Sequence, residues 1–435
     1  MKVLVISHNA FSKSNNMGRT LRNQFRDFNE DEIAQLYFVK RMPESESCKD
    51  YFCIPDTEVF KSIFTGKSAG FSIDMRKEVI LEDKLIQDTQ LELAVREKGN
   101  HRSIIHIARN LIWAMGKWKT EALDRWLDEI NPDVIFFASG DYSFSYKVTL
   151  YIAKKRNIPL VVGCYDDFYI GKKKTLNPFY HIVRNNLISI AGKTFDYADS
   201  FMSLSEMMTK DYSDMFHKNG YTMYVPTEVD HGAGKTERKQ KIFYAGNLGL
   251  GRAEQLVLMG RAIKSLGRTD ITHIDVYSSE VREELTSLMT EENGIAFHGE
   301  VSSDHILRLM NENKYVIHTE SFDMDYKTRV MYSVSTKIAD CLSCGACIVA
   351  FGPAEVASID YLNRYGAAWI IENEETLTAK LRELFEDNEK SEIVVSNALE
   401  LSARNHSNEN NNSLKRIMYR LTFRDQSTEK TEEQK

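Results

Sequence analysis

The sequence predicts an α/β protein of two Rossmann-like, doubly wound domains in tandem. Three observations predict it. Apolar runs of four to seven residues alternate with longer segments of helical period along most of the chain, the pattern of parallel strands joined by crossover helices. Residues 226–240, PTEVDHGAGKTERKQ, hold Pro, two Gly and a cluster of charges without apolar period, and they separate two stretches of the same rhythm. The length, 435 residues, is enough for two or three cores.

In the first stretch, expected to form a domain over 1–225, the strands fall at Val3 to Ser7, Ala34 to Val39, Asp133 to Ala138, Leu160 to Gly163 and Phe201 to Leu204. Residues 117–130 place Trp118, Ala122, Trp126 and Ile130 on one helical stripe, and Pro132 stops the helix. Residues 55–100 are charged and helical in character, more than a minimal βαβ unit needs, so a helical insertion is expected over about 55–119. Its last part, HRSIIHIARNLIWAMGKWK (101–119), joins an apolar stripe to basic ends. That composition suits a helix packed on the sheet, and it equally suits one lying on an anionic membrane surface.

Residues 226–240 are the expected hinge, and a second domain follows over 241–404. Its strands are Ile242 to Ala245, Ile271 to Tyr277, Ile295 to His298, Tyr315 to Thr319, Ala346 to Phe351 and Ala367 to Ile371. Helices are expected over 252–266, 280–291, 302–313, 334–344 and 354–365. The polar break NHSNENNNS (405–413) opens a terminal stretch, 405–435, of one helix and a solvated tail. Two such domains are expected to face a central cleft.

Composition narrows the function. Hydrophobic residues are 42% and charged ones 27%, the balance of a packed globular protein. Lys plus Arg is 56 against 63 Asp plus Glu, a net charge of −7, so no global basic field exists to hold nucleic acid. Six cysteines are too few for a disulfide framework, and no apolar run reaches bilayer-spanning length. A cytoplasmic protein is expected. Cys341, Cys344 and Cys347 have the C-x2-C-x2-C spacing of iron–sulfur ligands, but they fall on a helix and the next strand without a fourth cysteine nearby, and are read as core.

Two segments carry chemistry. In KIFYAGNLGLGRAEQLVLMGRAI (241–263) an apolar strand meets a loop with Gly246, Gly249 and Gly251, then a helix opening at Arg252. Glycines let a backbone approach an anion, the helix terminus offers N–H groups, and Arg252 adds charge for a diphosphate; the same sequence also suits a plain tight turn. In SVSTKIADCLSCGACIVAFG (333–352), Lys337 and Asp340 stand three apart on one helix face. The ammonium can meet phosphate and the carboxylate the two hydroxyls of a ribose, or the two can form a surface ion pair.

This pair of segments resembles the two-domain GT-B glycosyltransferases, in particular glycosyltransferase family 4 and its bacterial polysaccharide-synthesis relatives. Gly246, Leu248 and Arg252 match the family's strand, G-x-L turn and basic residue. Ser333, Ser335, Lys337, Asp340, Leu342 and Gly345 match its S-x-S-x-K-x-x-E-x-L-x-x-G block. FHGEVSSDHILRLMNENKYVIHTES (297–321) is similar to the family's strand, glycine and base-binding loop, with Gly299 and the backbone near Val301 at the nucleotide base. The chain departs from the pattern at Asn247, where many members carry arginine, at Asp340, one methylene shorter than the family's usual glutamate, and at Tyr332, where the first carboxylate of the E-x7-E pair would fall.

The resemblance implies a retaining transferase that moves a sugar from a nucleotide-sugar, UDP-linked, to a glycan or lipid-linked acceptor, without a metal and with possible contact at the inner membrane face. It implies Gly246, Asn247, Gly249, Arg252, Gly299, Val301, Ser335, Lys337 and Asp340 around the donor, with Gly18 in the first-domain loop beside the phosphates. Arg252 and Lys337 would neutralise the leaving diphosphate, and Glu320 could replace the missing carboxylate. At the strand end before Asp166 and Asp167, Tyr165 stands where the family often has histidine. Asp166 is the candidate for orienting the acceptor, although two adjacent carboxylates would also suit Mg²⁺. A non-catalytic subunit that activates a partner transferase and a nucleotide-sugar epimerase are the alternatives.

Overall fold

The computed structural model describes residues 1–12, 16–44, 47–77, 102–171, 175–227 and 238–423. Two compact units emerge. The first comprises Met1–Ser203, Thr209–Met223 and the chain from Asn412, and the second Leu204–Met208 and Tyr224–Asn411.

The described strands of the first unit are β1 (Val3–Ser7), β2 (Ile33–Tyr37), β3 (Asp50–Cys53), β4 (Phe71–Asp74), β5 (Val134–Ala138), β6 (Leu160–Cys164), β7 (Ser200–Ser203) and β8 (Gly220–Thr222). They form one sheet in the order β4-β3-β2-β1-β5-β6-β7-β8. All neighbours pair parallel except β3 and β4. Every residue of β1, β2, β5 and β6 is buried, as a parallel sheet covered on both faces requires.

Around it lie α1 (Asn16–Gln24), α2 (Asp56–Thr65), α3 (Arg102–Met115), α4 (Glu121–Ile130), α5 (Ser143–Arg156), α6 (Pro178–Tyr197) and α7 (Glu206–Phe216). The helix expected from 117 starts at 121 because Thr120 caps it, its side chain accepting the Leu123 N–H; Trp118 stays outside and donates to the Trp113 carbonyl.

The insertion is not all helical. Within it Phe71–Asp74 pairs antiparallel with β3, a four-residue edge strand too short to show a period in sequence. Residues 78–101 of that insertion lie outside the described residues. Helix α3 packs against α2, α5 and α6, and its Trp113 meets Phe38, just after β2, with ring centroids 5.5 Å apart.

The second unit is parallel throughout, in the order β11-β10-β9-β12-β13-β14. Its strands are β9 (Lys239–Ala245), β10 (Ile274–Tyr277), β11 (Ile295–Gly299), β12 (Asn313–Thr319), β13 (Cys347–Phe351) and β14 (Trp369–Ile371). Its helices are α8 (Arg252–Ser265), α9 (Glu283–Thr286), α10 (Ser303–Glu312), α11 (Met324–Val330), α12 (Lys337–Ser343), α13 (Ala357–Arg364), α14 (Leu377–Glu386) and α15 (Asn388–Asn405); α16 (Asn408–Phe423) follows.

Alternation along β9 shows the double winding. Ile242 and Tyr244 join a core with Leu256, Ile263, Leu381 and Leu384, while Phe243 joins the opposite core with Ile338, Leu342 and Ile359.

One difference from the expected elements has a local cause. The helix expected over 280–291 is a single turn, because the Glu280 carboxylate accepts the N–H groups of Val281 and Arg282 and fixes a bend there. Residues 321–332 contain α11, capped by Asp323, which accepts from Asp325 and Tyr326. Within the first unit the described part of the terminal helix is packed: Leu414 and Met418 are buried, and Lys415 pairs with Glu32 at 2.6 Å. Of the expected hinge, 228–237 lie outside the described residues; Arg238, just after them, donates to the carbonyls of Met310, Asn313 and Cys344. Cys341, Cys344 and Cys347 are buried in the second unit, where desolvation pushes the Cys344 thiol up to about 11 and that of Cys347 to about 12.

Candidate active site

In each sheet the strand order reverses once, between β1 and β5 and between β9 and β12. At such a switch point the crossover helices depart to opposite faces and leave a crevice at the carboxyl ends of the strands. The chemistry-bearing residues of the second unit gather at this place.

From β9 the chain runs into Gly246–Gly251. Gly246 N–H donates to Tyr277 O, Tyr244 OH donates to Asn247 O at 2.6 Å, and the Asn247 side chain accepts the Gly249 N–H at 2.6 Å. Asn247 thus closes its own loop, a use of asparagine that replaces the mobile charge of an arginine by local order. Leu250 (φ 61°) and Gly251 (φ 76°) take left-handed conformations to enter α8; a Cβ on Gly251 would lie 2.5 Å from Ser321 Oγ. Arg282, from the segment after β10, reaches the same loop: a Cβ on Gly249 would lie 2.8 Å from its guanidinium.

Arg252, the first residue of α8, leans over the end of β12. Its Nε donates to Thr319 O at 3.3 Å, and its Nη2 donates to both Glu320 oxygens at 2.8 and 2.9 Å. Glu320 is 3% exposed. Desolvation raises its pKa while Arg252 draws it down. Behind it His318, bonded to Ser358 at 2.9 Å, is held neutral, its pKa lowered to about 3 by burial and by Arg252.

Lys337, the first residue of α12, leans over the end of β9, the strand next to β12, and donates to Ala245 O at 3.0 Å. Part of the side chain reaches solvent, but desolvation lowers the ammonium pKa, and the charge of Arg252 lowers it further. The two cations therefore stand over adjacent strand ends and feel each other. The Ser335 hydroxyl accepts the Lys337 N–H at 3.4 Å, and Asp340, one turn on, accepts from Thr227 Oγ1 at 3.0 Å. Tyr332, at the position of the family's first carboxylate, is buried.

Gly299 (φ 70°) ends β11, its carbonyl taken by Ser278 N–H, and Val301 follows half-buried. A Cβ on Gly299 would meet nothing within 4 Å, so this turn borders open space. Next to it His298 stacks on Tyr277 at 4.6 Å and bonds Asp275 at 2.7 Å.

The first unit has its own switch point. Gly18 sits in α1 where a Cβ would lie 2.5 Å from Ala10 O, so glycine is required by close packing of helix and loop. Asp166 and Asp167, after β6, have different surroundings. Asp167 accepts from the N–H groups of Tyr169, Ile170 and Gly171 and from Tyr212 OH, and so fixes the loop. Asp166 reaches solvent; its carboxyl pKa is raised by desolvation and by Asp141 and Asp167.

The same switch point holds an aromatic and basic cluster that no local sequence pattern assembles: His8 after β1 and Tyr142 after β5, ring centroids 4.4 Å apart, with His106 stacked on Tyr142 at 5.5 Å and Arg109 over its face at 4.3 Å. His8 directly after the first strand was the available signal. Arg282 had none, because only the fold of the segment after β10 brings it to the glycine loop.

Two doubly wound units with their polar side chains at the switch points define the class: this chain has the GT-B fold. Anabaena HepE in complex with UDP superposes with a TM-score of 0.59 at 12% identity, over 96% of this chain and 100% of that one. A Staphylococcus aureus TarM mutant in complex with fondaparinux, alpha-GlcNAc-glycerol and UDP gives 0.58 at 11%, over 97% and 100%. Sucrose-phosphate synthase of Thermosynechococcus elongatus gives 0.55 at 10%, over 98% and 99%. No protein-family model and no curated sequence matches the chain. At such identities the likeness establishes the fold.

Proposed function

We propose that the protein is a retaining, metal-independent glycosyltransferase that moves a sugar from a UDP-sugar to a glycan or lipid-linked acceptor. One observation carries this reading: Lys337 stands beside Arg252 at the β9/β12 switch point, and its hydrogen-bond acceptor is a neutral carbonyl rather than a carboxylate. Its charge, partly offset by Asp340 one turn on, is held by no salt bridge among the described residues and is available to a diphosphate. The solved structures of the same fold support the donor class, since HepE was crystallised with UDP and with UDP-glucose.

In the reaction the bond between the anomeric carbon and the phosphate oxygen breaks, and the acceptor oxygen bonds to that carbon on the face being vacated. The acceptor proton passes to the departing phosphate. Negative charge grows on the leaving diphosphate, so a fixed cation is worth most there. At an effective dielectric of about 20 a unit charge about 4 Å away contributes roughly 4 kcal/mol. Lys337 supplies that charge, Arg252 does so while its own is shared with Glu320, and Arg282 adds a third cation where Asn247 gives none. Asp340 takes the ribose hydroxyls, the turn at Gly299 and Val301 the base, and Asp166 the acceptor.

A second reading, a non-catalytic subunit that binds a partner transferase, is favoured by Tyr332 and by Asn247 being spent on its own loop. One experiment separates the two. Thermal shift across UDP, GDP, ADP and their sugars should raise the melting temperature with the uridine compounds alone, since a ligand of the folded state stabilises it by mass action. The active chain should then hydrolyse the matching UDP-sugar slowly without acceptor. No shift with any nucleotide overturns the donor reading; a shift without hydrolysis, transfer or epimerised product supports the subunit.

A further inference from the structure

Helix α5 carries four basic residues and no acidic one, in a chain whose acids outnumber its bases 63 to 56. Three of the four, Lys147, Lys154 and Lys155, are exposed and line one groove with Leu150, Tyr151 and, from α6, Ile190. The groove is open to solvent and holds about 480 Å³. Its floor is apolar and its rim cationic. Lys119, just before α4, adds to the charge: its Nζ lies 4.6 Å from the Tyr151 ring centroid, with Lys155 Nζ 5.4 Å from the same ring and Lys154 Nζ 5.8 Å from that of Tyr197.

Little of this charge is spent within the unit. Lys155 pairs with Asp124 at 2.8 Å, whereas Lys119, Lys147 and Lys154 are held by no salt bridge among the described residues. A cationic rim kept in a protein of net charge −7 is complementary to an anionic ligand. Lys147 and Lys154 stand seven residues apart on α5, about 10 Å at the helical rise, which matches two linked sugar rings. Sugar rings also suit the floor, because their C–H faces pack on aliphatic and aromatic side chains while their substituents stay in water. Helix α5 opens at Ser143, directly after the end of β5 at the first unit's switch point, so Lys147 lies about one turn from the crevice into which β6 delivers Asp166.

We propose that the α5–α6 groove binds an anionic glycan, a chain of sugars that bear carboxylates, and is the path by which such an acceptor reaches Asp166. The path rests on the transferase reading; the binding needs no donor. Calorimetric titration of the full chain with hexagalacturonate, maltohexaose and hexaglutamate tests it. Hexagalacturonate should bind at least about tenfold more tightly than the neutral sugar or the acidic peptide, and more weakly as salt rises. The double variant Lys147→Gln, Lys154→Gln should lose at least about tenfold in that affinity at the parent melting temperature. Lys67→Gln, Lys210→Gln, which removes two exposed charges elsewhere in the first unit, should bind as the parent does.

Equal affinity for maltohexaose or hexaglutamate overturns the proposal, as does unchanged binding by the first variant or an equal loss in the second. A parent that binds phosphatidylglycerol vesicles through Lys147 and Lys154 but no hexagalacturonate would assign the groove to a membrane and overturn it too. Hexagalacturonate binding by a chain that takes no uridine nucleotide would keep the glycan site while removing the donor reading and, with it, the path to Asp166.

Discussion

One nitrogen of the Arg252 guanidinium donates to both carboxylate oxygens of Glu320, a residue 3% exposed at the end of β12. The sequence offered Glu320 as a replacement for the carboxylate missing at Tyr332. With both oxygens engaged by Arg252 and almost no surface, its chemical part is to hold that arginine in place. Removing one partner of a buried pair leaves the other charged and uncompensated, so Glu320→Ala should cost about 3–5 kcal/mol of stability. Glu320→Gln, which keeps one acceptor, should cost less. Urea denaturation of the two variants reads the difference, and parent-like stability of Glu320→Ala would remove the pair from the account of the site.

Lys337 has the opposite character, a cation over a carbonyl. Lys337→Met should leave the melting temperature close to the parent's and lower sugar transfer by at least about tenfold, because the lost interaction strengthens as the leaving group gains charge. Arg282, already held by both Glu280 oxygens at 2.9 and 2.6 Å, should matter less when replaced by alanine. Full transfer by both the Lys337 and the Arg252→Ala variants would take the diphosphate away from this switch point.

Much of the second unit was legible because its strands are continuous apolar runs, which a sheet covered on both faces demands. Arg252 was legible as the residue that opens a helix after the glycine loop, whereas Lys337 was read inside a helix over 334–344 that the structure starts at Lys337. What sequence could not show is partnership. Nothing local says that Asn247 bonds back to Gly249, that Glu320 faces Arg252, 68 residues away, or that Asp167 caps a loop while Asp166 does not. Short edge strands were missed for a related reason: β4 and β8 have four and three residues, and their identity comes from pairing rather than from period.

Sugar transfer should survive chelation of divalent ions. The adjacent carboxylates that suggested a metal are not equivalent, because Asp167 is occupied by three backbone N–H groups and the Tyr212 hydroxyl. Among the described residues, the neighbouring carboxylate that could join Asp166 as a ligand is Asp141. Transfer assays in EDTA check this, and activity abolished by EDTA and restored by Mg²⁺ or Mn²⁺ would make Asp166 and Asp141 ligands and displace the cationic mechanism.

Acid should weaken the second unit through His318. Its folded pKa is about 3 against 6.5 for the free side chain, lowered first by burial and then by Arg252. Between these values the unfolded chain binds a proton that the folded one refuses, so stability present above pH 6.5 is lost as the pH falls, by up to about 3 kcal/mol at pH 4.5. His406, also lowered by burial, adds in the same direction. Glu320 acts oppositely: its folded pKa is raised, so protonation favours the folded state as the pH falls toward 4.5, and the Arg252 charge limits how far. Comparing urea midpoints at pH 7 and pH 4.5 for the parent and His318→Asn isolates the histidine. The variant should lose less stability over that interval whatever its stability at pH 7, and equal losses in the two proteins would show that His318 is not the group the folded state keeps neutral.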